Sequence, residues 1–173
     1  DAGRLLRVAV NVWQMGLADR ELAPRAVLAC RKHHIETCHM TFELTESALA
    51  HDHATLLSAM VRLRSKGFQL SLDDFGRGYA SFHELRSLPF DELKLDKDIV
   101  RTAIGDDRCR AFLESTIGLA SGLGLRLIAE GVETTGMLDF VEALHCEYAQ
   151  GRLVAPPMQG QDVLSWFDLR RPV

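Results

Sequence analysis

Short segments in which apolar and polar residues alternate recur along the chain, separated by longer stretches with helical spacing. In 68–73, Phe68, Leu70 and Leu72 fall on one side of an extended chain, and Gln69, Ser71 and Asp73 on the other. The same alternation runs through Met40-Thr41-Phe42-Glu43-Leu44-Thr45, Val8-Ala9-Val10-Asn11-Val12 and Leu93-Lys94-Leu95-Asp96. It is less clean in 125–130, where Ile128 shares the side of Glu130. Strands are predicted over 6–12, 40–45, 68–73, 92–96, 125–130 and roughly 147–153. Helices are predicted after Pro24 and over about 53–66, 81–88, 98–122, 134–145 and 162–169. Pro89 ends the 81–88 helix, and Gly122 and Gly124 are stop signals for the long one.

Strand and helix in regular succession predict an α/β protein with a parallel sheet, either open or closed into a barrel. An open doubly wound sheet is covered on both faces, and its strands read as continuous apolar runs. Here only one face is uniformly apolar. A barrel accounts for this, with its outer face packed on helices and its inner face turning polar near one mouth. The pattern favours the barrel and leaves the open sheet as the alternative.

At or just past the carboxyl ends of these strands stand Asn11, Glu43, Asp73 with Asp74, Lys94 with Asp96, Glu130 and Gln150. Parallel barrels build their active sites at that end, from a few groups on each of several strands. Oxygen ligands dominate the set, without Cys or His, which is the donor chemistry of Mg²⁺, Mn²⁺ or Ca²⁺. Two such cations about 3.5–4 Å apart clamp a phosphodiester and activate water for in-line displacement. Taken singly, each residue has an ordinary alternative. Asp73-Asp74 could be a strand end and helix cap, Lys94 a snorkelling side chain and Glu43 a solvated one. Their recurrence at one end of most strands argues for a shared site, because converging carboxylates demand counter-charge. In Asp74-Phe75-Gly76-Arg77-Gly78-Tyr79-Ala80-Ser81 the two glycines predict a mobile loop that couples ion occupancy to gating, with a plain turn as the alternative.

Composition narrows the function classes. The 173 residues, 47% hydrophobic and 25% charged, suit one globular domain spanning 1–173 and exclude a disordered chain. A net charge of −4 argues against a nucleic-acid polymer as partner. No apolar run is long enough for a membrane span. Cys30, Cys38, Cys109 and Cys146 form no CxxC pair and are expected to be reduced thiols of a cytoplasmic protein. A zinc site among Cys30, His33, His34, Cys38 and His39 is the lesser reading, because zinc sites use tighter, paired spacings.

Five segments together resemble the EAL family of bacterial cyclic di-GMP phosphodiesterases. They are Glu43-Leu44-Thr45-Glu46-Ser47; Asp73-Asp74-Phe75-Gly76 with Gly78-Tyr79; Leu88-Pro89 followed by Leu93-Lys94-Leu95-Asp96; Ile128-Ala129-Glu130-Gly131-Val132-Glu133-Thr134; and Gln150-Gly151. The resemblance implies a TIM-type (β/α)8 barrel, incomplete in this chain at about six βα units, that hydrolyses cyclic di-GMP to linear pGpG. It implies two Mg²⁺ or Mn²⁺ ions, with Ca²⁺ inhibitory, and makes Asn11, Glu43, Asp73, Asp74 and Glu130 metal ligands. Glu130 would act on the attacking water, directly or as a ligand; Lys94 would position or polarise water and phosphate; Gln150 would orient water or ligand. Asp96 would sit at the pocket beside Lys94. Glu46 would anchor the loop of Gly76, Arg77, Gly78 and Tyr79, and Glu133 would give outlying support. A homodimer through barrel helices or exposed strand edges, and upstream sensory or GGDEF-type domains, are the implied partners. A longer membrane-anchored protein is compatible with the cytoplasmic expectation.

Departures from the family pattern set further expectations. The Glu-Ala-Leu motif is absent from these residues, and two βα units are expected before Asp1, making this the C-terminal three-quarters of a barrel. Six strands do not close such a barrel without strain, and the open edges would pair with upstream strands, with a partner or abnormally. The segment alone is therefore expected to be weakly active or inactive. Trp13 follows Asn11-Val12 where the family has a serine; Arg77 replaces a small residue; Arg152 replaces an aromatic one. The alternative function is a receptor that binds cyclic di-GMP without cutting it. Such relatives lose several acidic ligands, whereas this chain keeps those it could carry.

Overall fold

The computed structural model describes residues 6–50, 52–78 and 81–169. Strands β1 (Val8–Asn11), β2 (Met40–Thr45), β3 (Gln69–Phe75), β4 (Glu92–Leu95), β5 (Arg126–Ala129) and β6 (Tyr148–Ala149) form one parallel sheet, ordered in space as in the chain. Between them run α1 (Gln14–Ala18), α2 (Leu22–Lys32), α3 (His53–Arg64), α4 (Phe82–Ser87), α5 (Lys97–Ala103), α6 (Asp107–Leu123) and α7 (Thr135–Ala143). Helix α8 (Val163–Leu169) follows β6.

Crossovers between parallel neighbours are right-handed almost without exception, so an unreversed strand order places the connecting helices on one side of the sheet. A doubly wound sheet reverses its order at a switch point, and this sheet does not. The winding is therefore that of a TIM-type barrel, here an incomplete arc, with β6 and β1 unjoined among the described residues.

The helix-facing side chains Phe42, Leu44, Leu70, Leu72, Leu93, Leu95, Leu127 and Ala129 are at most 4% exposed. They share one core with Leu56, Met60 and Leu63 of α3, Val100 of α5, Leu113 of α6 and Val141 of α7. Each such leucine contributes about 1.5–3 kcal/mol by leaving water. Opposite them, Thr41, Glu43, Ser71 and Lys94 are buried on the inner wall. Near its amino end Arg126 pairs with Glu92 at 3.5 Å and reaches Gln69 Oε1 at 3.5 Å.

Three expected elements change in ways that have local causes. The long helix over 98–122 is two helices, because Gly105 interrupts it and the Asp106 carboxylate opens α6 by accepting the N–H groups of Arg108 (2.8 Å) and Cys109 (3.0 Å). Helix α2 starts two residues before Pro24, which stands in the first turn, where its missing N–H has no intrahelical partner to lose. Strand β6 has two residues instead of seven: past Gln150 the chain turns at Gly151, where a Cβ would lie 2.1 Å from Val132 O. The short helix α1 was not predicted. None of the helices among the described residues is long and apolar enough to cross a membrane.

Candidate active site

Lys94 extends from β4 across the inner wall. Its Nζ lies 2.6 Å from Glu130 Oε1, 2.9 Å from Glu43 Oε1 and 3.1 Å from Asp73 Oδ1, so three carboxylates from three other segments converge on one ammonium. The Lys94 side chain is only 4% exposed. Burial pulls its pKa down, but hydrogen bonds to Glu130 and Glu43 and the charges of Glu130 and Asp73 more than reverse that, and it rests above the ordinary lysine value. The lysine is a fixed cation at any physiological pH.

Asp73 and Asp74 both serve the rim although they are consecutive, which regular alternation forbids. The register explains it: Leu72 pairs with Leu93 and Phe75 with Leu95, so β3 spends one more residue than β4 over the same step. Asp74 takes up this bulge in the left-handed region at φ 58°. Its N–H donates to Asp73 Oδ1 at 3.0 Å, fixing the neighbouring carboxylate. Oxygens of Asp73, Asp74 and Glu130 lie within 4.8 Å of one another. Burial pushes the pKa of Asp74 up, opposed by Arg77 and reinforced by the charges of Asp73 and Asp96. Burial likewise raises that of Glu130 against the pull of Lys94. In both cases burial is the largest cause, and neighbouring carboxylates add to it.

The glycine loop is tied from below. Glu46, 2% exposed in the turn after β2, accepts the backbone N–H groups of Gly76 (3.1 Å), Arg77 (2.8 Å) and Gly78 (3.2 Å) on one carboxylate oxygen. The loop passes close to α5. A Cβ on Gly76, whose φ is 110°, would lie 1.9 Å from Ile99 Cδ1, so no other residue fits there without displacement. The expected anchoring by Glu46 is thus a direct contact.

The remaining predicted residues are placed less uniformly. Asn11 is exposed on β1, opposite Glu43 in register. Asp96 is 2% exposed, but its carboxylate turns to α5 and the loop: Oδ1 accepts the Asp98 N–H at 2.9 Å, and Oδ2 takes Arg77 Nε at 3.0 Å and Nη2 at 2.8 Å. Gln150 follows β6 and is exposed, held through its backbone to Ala129 and Val132. Glu133 is exposed between β5 and α7. Trp13, 72% exposed, follows β1. Tyr79 lies outside the described residues. The Arg77 clamp escaped the sequence reading, because its partner Asp96 is nineteen residues away and only the fold joins them.

The four cysteines are free thiols. A second group, Glu36, Cys38 and His39, has ligand atoms within 4.8 Å of one another near the amino end of β2. His39 Nδ1 is buried without a hydrogen-bond partner, so coordination through Nε2 would trap a proton on Nδ1 with no acceptor. That counts against a metal there.

At the strand ends the balance differs. Glu43, Asp73 and Glu130 face the single ammonium of Lys94, and Asp74 beside them shares Arg77 with Asp96, leaving a surplus of negative charge on hard oxygen donors. Those residues fit Mg²⁺ or Mn²⁺ and lack the soft ligands of zinc sites. The EAL domain model matches residues 1–157. The chain belongs to the EAL family. It is 36% identical over 164 residues to the cyclic di-GMP phosphodiesterase RocR of Pseudomonas aeruginosa, covering 95% of this chain and 42% of that protein. It is 37% identical over 153 residues to the cyclic di-GMP phosphodiesterase NbdA of the same organism, covering 88% of this chain and 20% of that one. The PaMucR phosphodiesterase, solved as a c-di-GMP complex, superposes with a TM-score of 0.84 at 32% identity, covering 91% of this chain and 64% of that chain. The chain thus spans less than half the length of RocR and about a fifth of that of NbdA.

Proposed function

We propose that this EAL domain is the catalytic part of a phosphodiesterase that hydrolyses cyclic di-GMP to linear pGpG with two Mg²⁺ or Mn²⁺ ions. The observation that carries the reading is the convergence of Glu43, Asp73 and Glu130 on Lys94, with Asp74 beside them, at the carboxyl ends of parallel strands. Asn11, Glu43, Asp73, Asp74 and Glu130 would hold the ions, which supply charge for the phosphodiester and lower the pKa of water. Ca²⁺ at the same oxygens would inhibit.

The chain's own groups do the rest. Lys94 holds its ammonium among the carboxylates, where it orients their oxygens and attracts a phosphate. Glu130, its Oε1 held 2.6 Å from the Lys94 ammonium, acts on the attacking water directly or as a ligand. Gln150 orients water or ligand from just past β6. Glu46 holds the backbone of Gly76, Arg77 and Gly78 at the mouth, and Glu133 supports the β5–α7 turn.

Two further βα units, Glu-Ala-Leu among them, would precede Asp1 and complete the barrel. The support is β1: its outer edge is unpaired among the described residues, Val8 and Val10 are 53% and 37% exposed, and an open hollow of about 740 Å³ beside it is lined by Val8, Ile35 and Met40. Such a protein would act in the cytoplasm, with sensory or GGDEF-type domains upstream. Exposed Phe82, Ile104 and Phe112 on the outer helices would serve a homodimer.

The test is incubation of the protein at its native length with cyclic di-GMP and Mn²⁺, with products separated by chromatography. pGpG should appear, and Asp73→Asn should reduce its formation by at least about a hundredfold, the scale of losing one stabilising group. Tight binding without product would convert the reading to a receptor.

A further inference from the structure

Arg77 is held at both ends. Its backbone N–H is bound by Glu46 at 2.8 Å, and its guanidinium is bound by Asp96 through Nε and Nη2. Asp96 is itself fixed as the cap of α5, so the guanidinium has a defined place although it is 49% exposed. From that place Nη2 reaches Asp74 Oδ1 at 3.4 Å. Asp74 makes no contact with Lys94 of the kind that Glu43, Asp73 and Glu130 make; its neighbouring cation is Arg77.

The rim is therefore divided between two protein cations, with Lys94 serving the inner carboxylates and Arg77 the outer one. They differ in freedom. Lys94 is buried among its partners, whereas Arg77 is half-exposed on a loop, and its 3.4 Å approach to Asp74 is looser than its 2.8 Å bond to Asp96. Asp74 is also the residue in the bulge, close to Asp73 and Glu130, where a divalent ion would need its oxygen. A guanidinium beside Asp74 Oδ1 offsets the negative charge that an arriving ion would meet and repels that ion, so the two compete for the carboxylate.

We propose that Arg77 is a tethered cation that competes with a divalent ion for Asp74, and so sets the ion concentration at which the site fills. This rests on the metal-dependent reading above. Arg77 would act through Asp74 and need not touch the reacting atoms. Arg77 is in this sense a positioning residue.

The experiment is Mn²⁺ titration by calorimetry of the full chain, without nucleotide, comparing the parent with Arg77→Gln and Arg77→Lys. The glutamine variant removes the charge and should bind Mn²⁺ about 3- to 10-fold more tightly, the scale of a half-exposed pair with one buried anchor. The lysine variant keeps the charge but loses the two-nitrogen hold on Asp96, and should tighten binding by less than the glutamine variant does. Unchanged or weaker binding by Arg77→Gln, with the parent binding normally, overturns the role of Arg77 alone. Equal tightening by both variants also overturns it, since charge would not be the cause. Absence of Mn²⁺ binding in all three proteins overturns the metal-dependent reading itself.

Discussion

Strands β1 and β2 carry the same alternation and lie side by side in parallel register, Asn11 opposite Glu43, yet their surroundings differ. Residues Thr41 to Leu44 of β2 are all buried; all four residues of β1 are exposed. Glu43 has β3 on its other side and Lys94 above it, whereas Asn11 has only β2. Alternation thus assigns a side chain to a face, and neighbours decide whether that face becomes an interior. Charge is concentrated where the sheet has a strand on both sides, because only there can a second segment supply the counter-charge that burial requires.

The most severe break of this contrast is Lys94→Met. It leaves Glu43, Asp73 and Glu130 facing one another without their shared cation, and it should cost about 3–5 kcal/mol in urea unfolding of the ion-free protein. Added Mn²⁺ should recover part of the loss, since an ion replaces the missing charge; a cost under about 1 kcal/mol would mean that the cluster is solvated.

Glu46→Ala comes next. Three N–H donors of the glycine loop lose their acceptor, and hydrogen bonds to a charged group are worth about 1.5–3 kcal/mol. Turnover should fall at least about tenfold, by the scale on which misplaced groups lose rate. Wild-type kinetics in a folded variant would show that the loop needs no anchor.

On β1 the expected effects are small. Val10→Ala should change stability by less than about 0.5 kcal/mol, against about 2–5 for Leu70→Ala on β3. A large cost for Val10→Ala at native protein length would show that upstream strands cover β1 there, which sharpens the comparison.

Much of this was legible in the sequence because it is local. The alternation in β2, β3 and β4 named the inner and outer faces, and the strand ends named Glu43, Asp73, Lys94 and Glu130 before any contact was known. What the sequence did not show depends on pairing between segments. The bulge that turns Asp73 and Asp74 to the same rim exists only in the register of β3 against β4. The Asp96 carboxylate could be read as facing the pocket, but helix capping and Arg77 claim it. The break at Gly105-Asp106 was a local signal outweighed by the apolar periodicity on both sides of it. The shortness of β6 follows from Gly151 pressing against Val132, a contact made across the chain.

The central claim is that carboxylates from separate strands, gathered around Lys94, form a divalent-cation site. Its most direct test is anomalous diffraction from crystals of the protein grown with Mn²⁺. The account predicts density about 2.0–2.6 Å from oxygens of Asp73, Asp74 and Glu130, the range for hard cations on carboxylates. Manganese found only at Glu36, Cys38 and His39, or nowhere on the chain, would contradict it.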